Sequence, residues 1–244
     1  MDEQDDRQGD QRNIVSVCER AQTAWFTARA EHLGGEVWTD GPLTWVDGPD
    51  GLNLMFPEQI DSDALQRGIE RARSAEHELI GAWLSHETDA SALIGAGFER
   101  GWAPWWMSAS IDDIDTAEDP RVHVGVHPDD RSDEKSHERY DKLLQLADAA
   151  PDRAFYAGVR VDGVLAGHAW AYVDGDVAGI FDLDVWPPFR RRGLGAALLH
   201  SVAGAARERG ARTAVLSTSP QGAIVYRAQH FNRVGMAQTW WLHI

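Results

Sequence analysis

Residues 187–201 read PPFRRRGLGAALLHS. Two prolines, three consecutive arginines and Gly-Leu-Gly lead directly into an apolar Ala-Ala-Leu-Leu run. Arginine and glycine at the start of an apolar helix suit an anion, because the first backbone N–H groups of a helix have no partner within it and point outward. Gly193 and Gly195 allow close backbone approach to such a ligand, the helix dipole adds partial positive charge, and Arg190, Arg191 and Arg192 add full charge. Just upstream, Asp182 and Asp184 stand two apart on a predicted strand. Alternation puts both carboxylates on one face, opposite Leu183 and Val185. Ser217 and Ser219 lie outside any Gly-x-Ser-x-Gly elbow and read as cap or strand residues. His123 and His127 share a strand face but bring no further ligands, so no metal is expected.

Two common phosphate sites do not fit Arg190 to Gly195. A nucleotide P-loop requires Gly-x4-Gly-Lys-Ser/Thr, and the only lysines are Lys135 and Lys142. A dinucleotide fold requires Gly-x-Gly-x-x-Gly opening the first helix of a parallel unit. Here Leu198 stands at the third glycine, and the preceding strands read as antiparallel.

The elements that must position these residues follow from patterning. Residues 153–161 and 164–173 are rich in β-formers and separated by Asp162-Gly163, a two-residue hairpin signal. A second break at Asp174-Gly175-Asp176 leads into 177–186, which predicts an antiparallel meander. Pro187-Pro188 stops the last strand. A helix is expected over 193–209, with Leu194, Leu198, Val202 and Ala205 on one face, then a strand at 211–219, a short helix at 220–229 and a closing strand at 231–243. Upstream, 121–127 reads as a strand and 134–149 as an amphipathic helix. The first half predicts a helix near 14–33, strands at 36–39, 42–47 and 51–56, a helix at 61–75, a strand at 77–84, a helix at 88–96 and a strand at 98–110. Helix 61–75, ELIGAWLS and SALIGAGFERGW parallel helix 193–209, TAVLSTS and AIVYRAQHFNRVG, a faint internal repeat. The fold class is α/β with a mixed sheet. The expected organisation is a disordered leader at 1–13, one domain at 14–110, an acidic linker at 111–120 and a second domain at 121–244.

Composition narrows the function. The net charge of -16 lies wholly in residues 1–118, with 8 Lys and Arg against 24 Asp and Glu, while 119–244 carry 15 of each. That balance argues against a nucleic-acid partner, whose binding rests on cations neutralising phosphates. No apolar run is long enough to cross a bilayer, so no membrane partner is expected. Cys18 is the single cysteine, which leaves no intrachain disulfide, and the acidic N-terminus is unlike a signal peptide. A cytoplasmic location is the simplest expectation.

Arg190-Arg191-Arg192-Gly193-Leu194-Gly195 resembles the Arg/Gln-x-x-Gly-x-Gly/Ala signature of the GNAT superfamily of N-acetyltransferases. AIVYRAQHFNRVG (223–235) resembles the family's later pattern, a tyrosine followed by Gly-Phe, with His230 standing where that pattern has glycine. The resemblance covers roughly residues 120–244. It implies that the anion is the pyrophosphate of acetyl-coenzyme A, held by Arg190 to Ala196. It also implies that the strands at 177–186 and 212–218 splay apart, and that the pantetheine arm bonds to backbone near Leu183 and Val185. Tyr226 would protonate the departing sulfur, and Asp182 or Asp184 would take the amine's proton. Ala96-Gly97-Phe98 echoes the second pattern, but no such loop occurs before residue 111. The first half thus resembles a degenerate GNAT-like repeat that binds no coenzyme A. The expected activity is acetyl-CoA-dependent transfer to a primary amine of a small molecule. A non-catalytic acyl-CoA-binding or regulatory module and a protein N-acetyltransferase are the alternatives.

Overall fold

In a computed structural model, residues 2–49, 51–126 and 137–244 are described. In chain order the elements are α1 (Asp2–His32), β1 (Glu36–Asp40), β2 (Leu43–Gly48), β3 (Gly51–Met55), α2 (Ser62–Ser74), β4 (Leu79–Ser85), α3 (Ser91–Gly95), β5 (Glu99–Arg100), β6 (Trp105–Ser110), β7 (Val122–Val124), α4 (His137–Ala149), β8 (Ala154–Val161), β9 (Val164–Asp174), β10 (Val177–Val185), α5 (Leu194–Glu208), β11 (Thr213–Thr218), α6 (Gly222–Arg227) and β12 (Asn232–His243). Two compact units share these elements. One takes the chain up to Trp106 and again Val234–Ile244, and the other takes Met107–Arg233. The chain is thus not cut once into two sequential halves, because its last eleven residues return to the first unit. Ile111 and Ile114, at the start of the acidic stretch read as a linker, are buried.

In the first unit β1, β2 and β3 form an antiparallel meander, β3 pairs β4 in parallel, and β4 pairs β12 antiparallel. The core between this sheet and α2 holds Trp45, Leu52, Leu54, Leu65, Ile69, Ile80 and Leu84. Gly68 is on α2 because the ring of Trp45 leaves no room for a side chain: a Cβ there would lie 2.3 Å from Cζ2. Asp61 caps α2 by accepting from the Ala64 N–H at 2.8 Å, the arrangement that side chains of this type make at helix starts. Residues 98–110, expected as one strand, form β5 and β6 with Pro104 between them; a prolyl nitrogen cannot donate to a ladder.

The second unit follows the expected meander. β8, β9 and β10 pair antiparallel, β10 pairs β11 in parallel, and β7 pairs β8 at the other side. Asp162 and Gly163 both have positive φ (51° and 81°), as a type I′ hairpin turn requires. α5 packs on β8, β9 and β10 through Leu194, Leu198, Leu199 and Val202, which are buried, as are Trp170 and Ile180 of the sheet. The mixed α/β fold is therefore as expected, and both units contain a meander whose last strand runs parallel to the strand after the next helix. His127 lies outside the described residues, as do 134–136 of the helix expected from 134.

Candidate active site

β10 is where the second unit departs from regular sheet. Its parallel register with β11 runs from Val177↔Thr213 to Ile180↔Leu216, short of the ends of both strands at Val185 and Thr218. On its other side the register with β9 shifts between Phe181 and Asp184, and Asp182 takes a left-handed φ of 48°. A bulge adds local twist and re-aims side chains. The bulge lies on the part of β10 beyond its last register pair with β11.

After β10 a short helical turn, Pro187–Phe189, leads into the arginine loop. Arg190 Nε donates to the Val185 carbonyl at 2.6 Å, and its Nη2 lies 3.2 Å from Asp184 Oδ1. Arg190 therefore braces the loop against the strand end. Arg191 and Arg192 are exposed, and Arg192 stands over the Phe189 ring at 5.8 Å. Arg191 (φ 62°) and Gly193 (φ 75°) are both left-handed, and Gly193 forms the N-cap of α5 with no side-chain cap. The start of α5 thus keeps its N–H groups clear of any carboxylate or hydroxyl of its own cap. A Cβ on Gly195 would touch only Leu183 Cδ2 and Val185 Cγ2, each at 3.9 Å. The first turn of α5, including Leu194 and Ala196, thus lies beside the end of β10.

Tyr226 is on α6, which starts where the Ser219 hydroxyl accepts from the Gly222 N–H at 3.1 Å and ends with the Gln229 and Phe231 N–H groups on the Tyr226 carbonyl. Its ring meets Phe231 edge-on at 5.9 Å. Burial pushes its phenol up to about 12, and the negative charge of Asp184 adds to the shift. The phenol is a held proton at neutral pH, electrostatically coupled to an aspartate of β10. His230 adopts φ 66°, a conformation glycine enters freely, which fits its place opposite a glycine in the family's pattern.

Asp182 and Asp184 divide between different neighbours. Asp184 meets Arg190 and its charge acts on Tyr226, whereas Asp182 Oδ2 lies 3.3 Å from Nε2 of His168, a buried residue of β9. Sequence reasoning did not single out His168, although one polar residue inside VLAGHAWAYV was a visible signal. His123 is exposed on β7, and among the described residues no three His, Cys, Asp or Glu side chains are grouped to hold a metal ion. No described helix is long and apolar enough to cross a membrane.

The acetyltransferase (GNAT) family model matches residues 114–231. A GCN5-related N-acetyltransferase from Kribbella flavida is similar in structure with a TM-score of 0.64 and 19% identity, covering 92% of this chain and 95% of that one. A second, from Sphaerobacter thermophilus, gives 0.59 and 18% over 94% and 93%. A tandem GNAT protein from the clavulanic acid biosynthesis pathway gives 0.57 and 16% over 82% and 78%. No curated protein matches the sequence. At these identities the likeness is one of fold. Residues 114–231 match as a GNAT acetyltransferase domain, and the fold of the chain is that of two GNAT-like repeats.

Proposed function

We propose that the protein is an acetyl-CoA-dependent N-acetyltransferase acting on a primary amine of a small molecule in the cytoplasm, with the chemistry confined to the second repeat. The observation that carries the reading is that β10 pairs β11 only as far as Ile180↔Leu216, beside a helix start with no side-chain cap. The N–H groups at Gly193 to Ala196, with Arg191 and Arg192, would hold the pyrophosphate. The backbone near Leu183 and Val185, beyond the last register pair with β11, would hold the pantetheine arm. Arg190 would act by bracing the loop, since its guanidinium already engages Val185 and Asp184. Bound acetyl-CoA supplies a thioester whose carbonyl carbon an unprotonated amine can attack. Tyr226 would then give its proton to the thiolate, and an aspartate of β10 would take the amine's.

Asp182 and Asp184 are both more than half exposed on this strand, which favours a cationic acceptor over an anionic one. No nucleic acid and no metal enter this scheme. The test is thiol release from acetyl-CoA with the full chain across simple amines, aminoglycosides, amino acids and peptides. Turnover with a cationic small amine is expected. Binding of acetyl-CoA with no turnover on any amine would mean a non-catalytic acyl-CoA-binding module, and turnover with peptides alone would mean a protein acetyltransferase.

A further inference from the structure

His168 sits in the middle of β9 among Val, Leu, Ala, Gly, Trp and Tyr, and its side chain is only 3% exposed. A buried imidazole in such a strand is costly unless its polar atoms meet partners. Its Nε2 stands 3.3 Å from Asp182 Oδ2, and the Asp182 side chain is 52% exposed. One end of the pair is therefore fixed in the core, and the other opens toward whatever approaches β10. The ring is held by Trp186, edge-on at 5.4 Å, and by Tyr156 at 5.9 Å. Asp182 is presented by the bulge, in a left-handed conformation that persists only where its surroundings hold it. Asp184, the register partner of His168, is differently committed, to Arg190 at 3.2 Å.

We propose that His168 is a positioning residue for Asp182, holding its carboxylate at the bulge so that Asp182, and not Asp184, takes the proton the acceptor amine gives up. The inference rests on the acetyltransferase reading. An acceptor ammonium loses two protons in all. Asp182 receives the first and passes it to water, and the freed lone pair attacks the thioester carbon. As the C–S bond breaks, the thiolate takes the proton of Tyr226, and the second proton, lost from nitrogen, returns through solvent to the tyrosine. Among the described residues, Asp184 from β10 is the register partner of His168 and Tyr156 from β8 lies against its ring. α5, packed on β9, brings His200, which is engaged with Gln229 at 2.5 Å and stands 3.8 Å from Asp115.

The experiment compares the wild type, Asp182→Asn, His168→Gln and the double variant by thiol release, using acetyl-CoA and the best amine of the panel, with acetyl-CoA affinity measured by calorimetry. Each single change should lower kcat on the order of tenfold or more, part of the 10²–10⁴-fold a general base contributes. Acetyl-CoA affinity should stay within about twofold. The double variant should be no slower than Asp182→Asn alone, because His168 acts through Asp182. The deficits should shrink as pH rises toward the amine's own pKa, where the nucleophile needs no base. Wild-type kcat in His168→Gln, or additive losses in the double variant, would overturn the inference. Should His168→Gln fail to fold, Asp182→Glu tests the same geometry at an exposed side chain. Its longer carboxylate displaces the oxygen from its place beside His168, so it should lose much of what Asp182→Asn loses, and full activity overturns the proposal. A wild type that releases thiol with no amine overturns the acetyltransferase reading itself, an outcome distinct from all of these.

Discussion

Tyr226 holds its proton for two separable reasons, burial first and the charge of Asp184 second. Removing the lesser cause should leave the larger in place. Asp184→Asn should therefore bring the phenol down only part of the way from about 12 toward the ordinary 10.0. Tyrosinate absorbance, with Tyr226→Phe as the blank, reads that shift, and an unmoved titration would show that the two groups do not interact. The sign for stability follows. In the unfolded chain the phenol ionises first, so between roughly pH 10 and 12 stability falls as pH rises, and Tyr226→Phe should flatten that fall. The same variant should lower turnover by about 10²–10⁴-fold with acetyl-CoA affinity nearly unchanged, because a lost proton donor weakens the transition state more than the ground state. A drop below about threefold would assign the acid role elsewhere. At this scale the sequence was informative where chemistry is local. The glycine at the start of α5 and the short helix that carries Tyr226 could be read from spacing. His168 could not be tied to Asp182, because their contact depends on the antiparallel register of β9 with β10 and on a bulge that no residue of Phe181–Asp184 announces. Nor could the commitment of Arg190 to Val185 be told from that of its two neighbours.

The two glycines of the loop, alike in sequence, differ in what they do for α5. Gly193 caps the helix at φ 75°, where any other residue pays about 1–2 kcal/mol in backbone strain, whereas Gly195 lies inside the first turn with a Cβ direction open except for two side chains at 3.9 Å. Gly195→Glu should thus fold with a melting temperature near that of the wild type and lose acetyl-CoA binding, since it puts bulk and negative charge at the helix start. Gly193→Glu should lose both binding and stability. Calorimetry and thermal melts on the pair separate the effects, and unchanged affinity in Gly195→Glu would remove the basis for the pyrophosphate site. Elements were more legible than contacts. The meander, α5 and the hairpin turn at Asp162-Gly163 follow from alternation, apolar spacing and turn residues. The interruption at Pro104 was equally visible in the sequence, but the aromatic run around it read as one strand. The stretch 111–120 read as a linker from its charge, yet Ile111 and Ile114 are buried, because two apolar residues suffice to anchor an acidic segment.

Across the whole molecule the two repeats share an order of elements and differ at the one place where a cofactor would enter. In the second, β10 and β11 pair only as far as Ile180↔Leu216, and α5 starts without a side-chain cap. In the first, β3 and β4 stay paired to Met55↔Trp83 at the last residue of β3, and the Phe56 N–H then donates to the Trp83 carbonyl at 2.8 Å, closing the gap a pantetheine arm would need. The start of α2 is likewise taken, since Asp61 accepts from the Ala64 N–H and brings a negative charge to the place a phosphate would occupy. Residues 1–118, with their net charge of -16, further disfavour a polyanion. Each chain should therefore bind one coenzyme A. The full chain is the right sample, because Val234–Ile244 completes the sheet of the first unit through pairing with β4, and a fragment ending near residue 118 would lack that strand. Calorimetric titration with acetyl-CoA should give a stoichiometry near one that Gly195→Glu abolishes entirely. Two equivalent sites, or one site that persists in Gly195→Glu, would mean that a closed strand pair and a carboxylate-capped helix can still accept the cofactor, and that the early end of the register between β10 and β11 is not what defines the site.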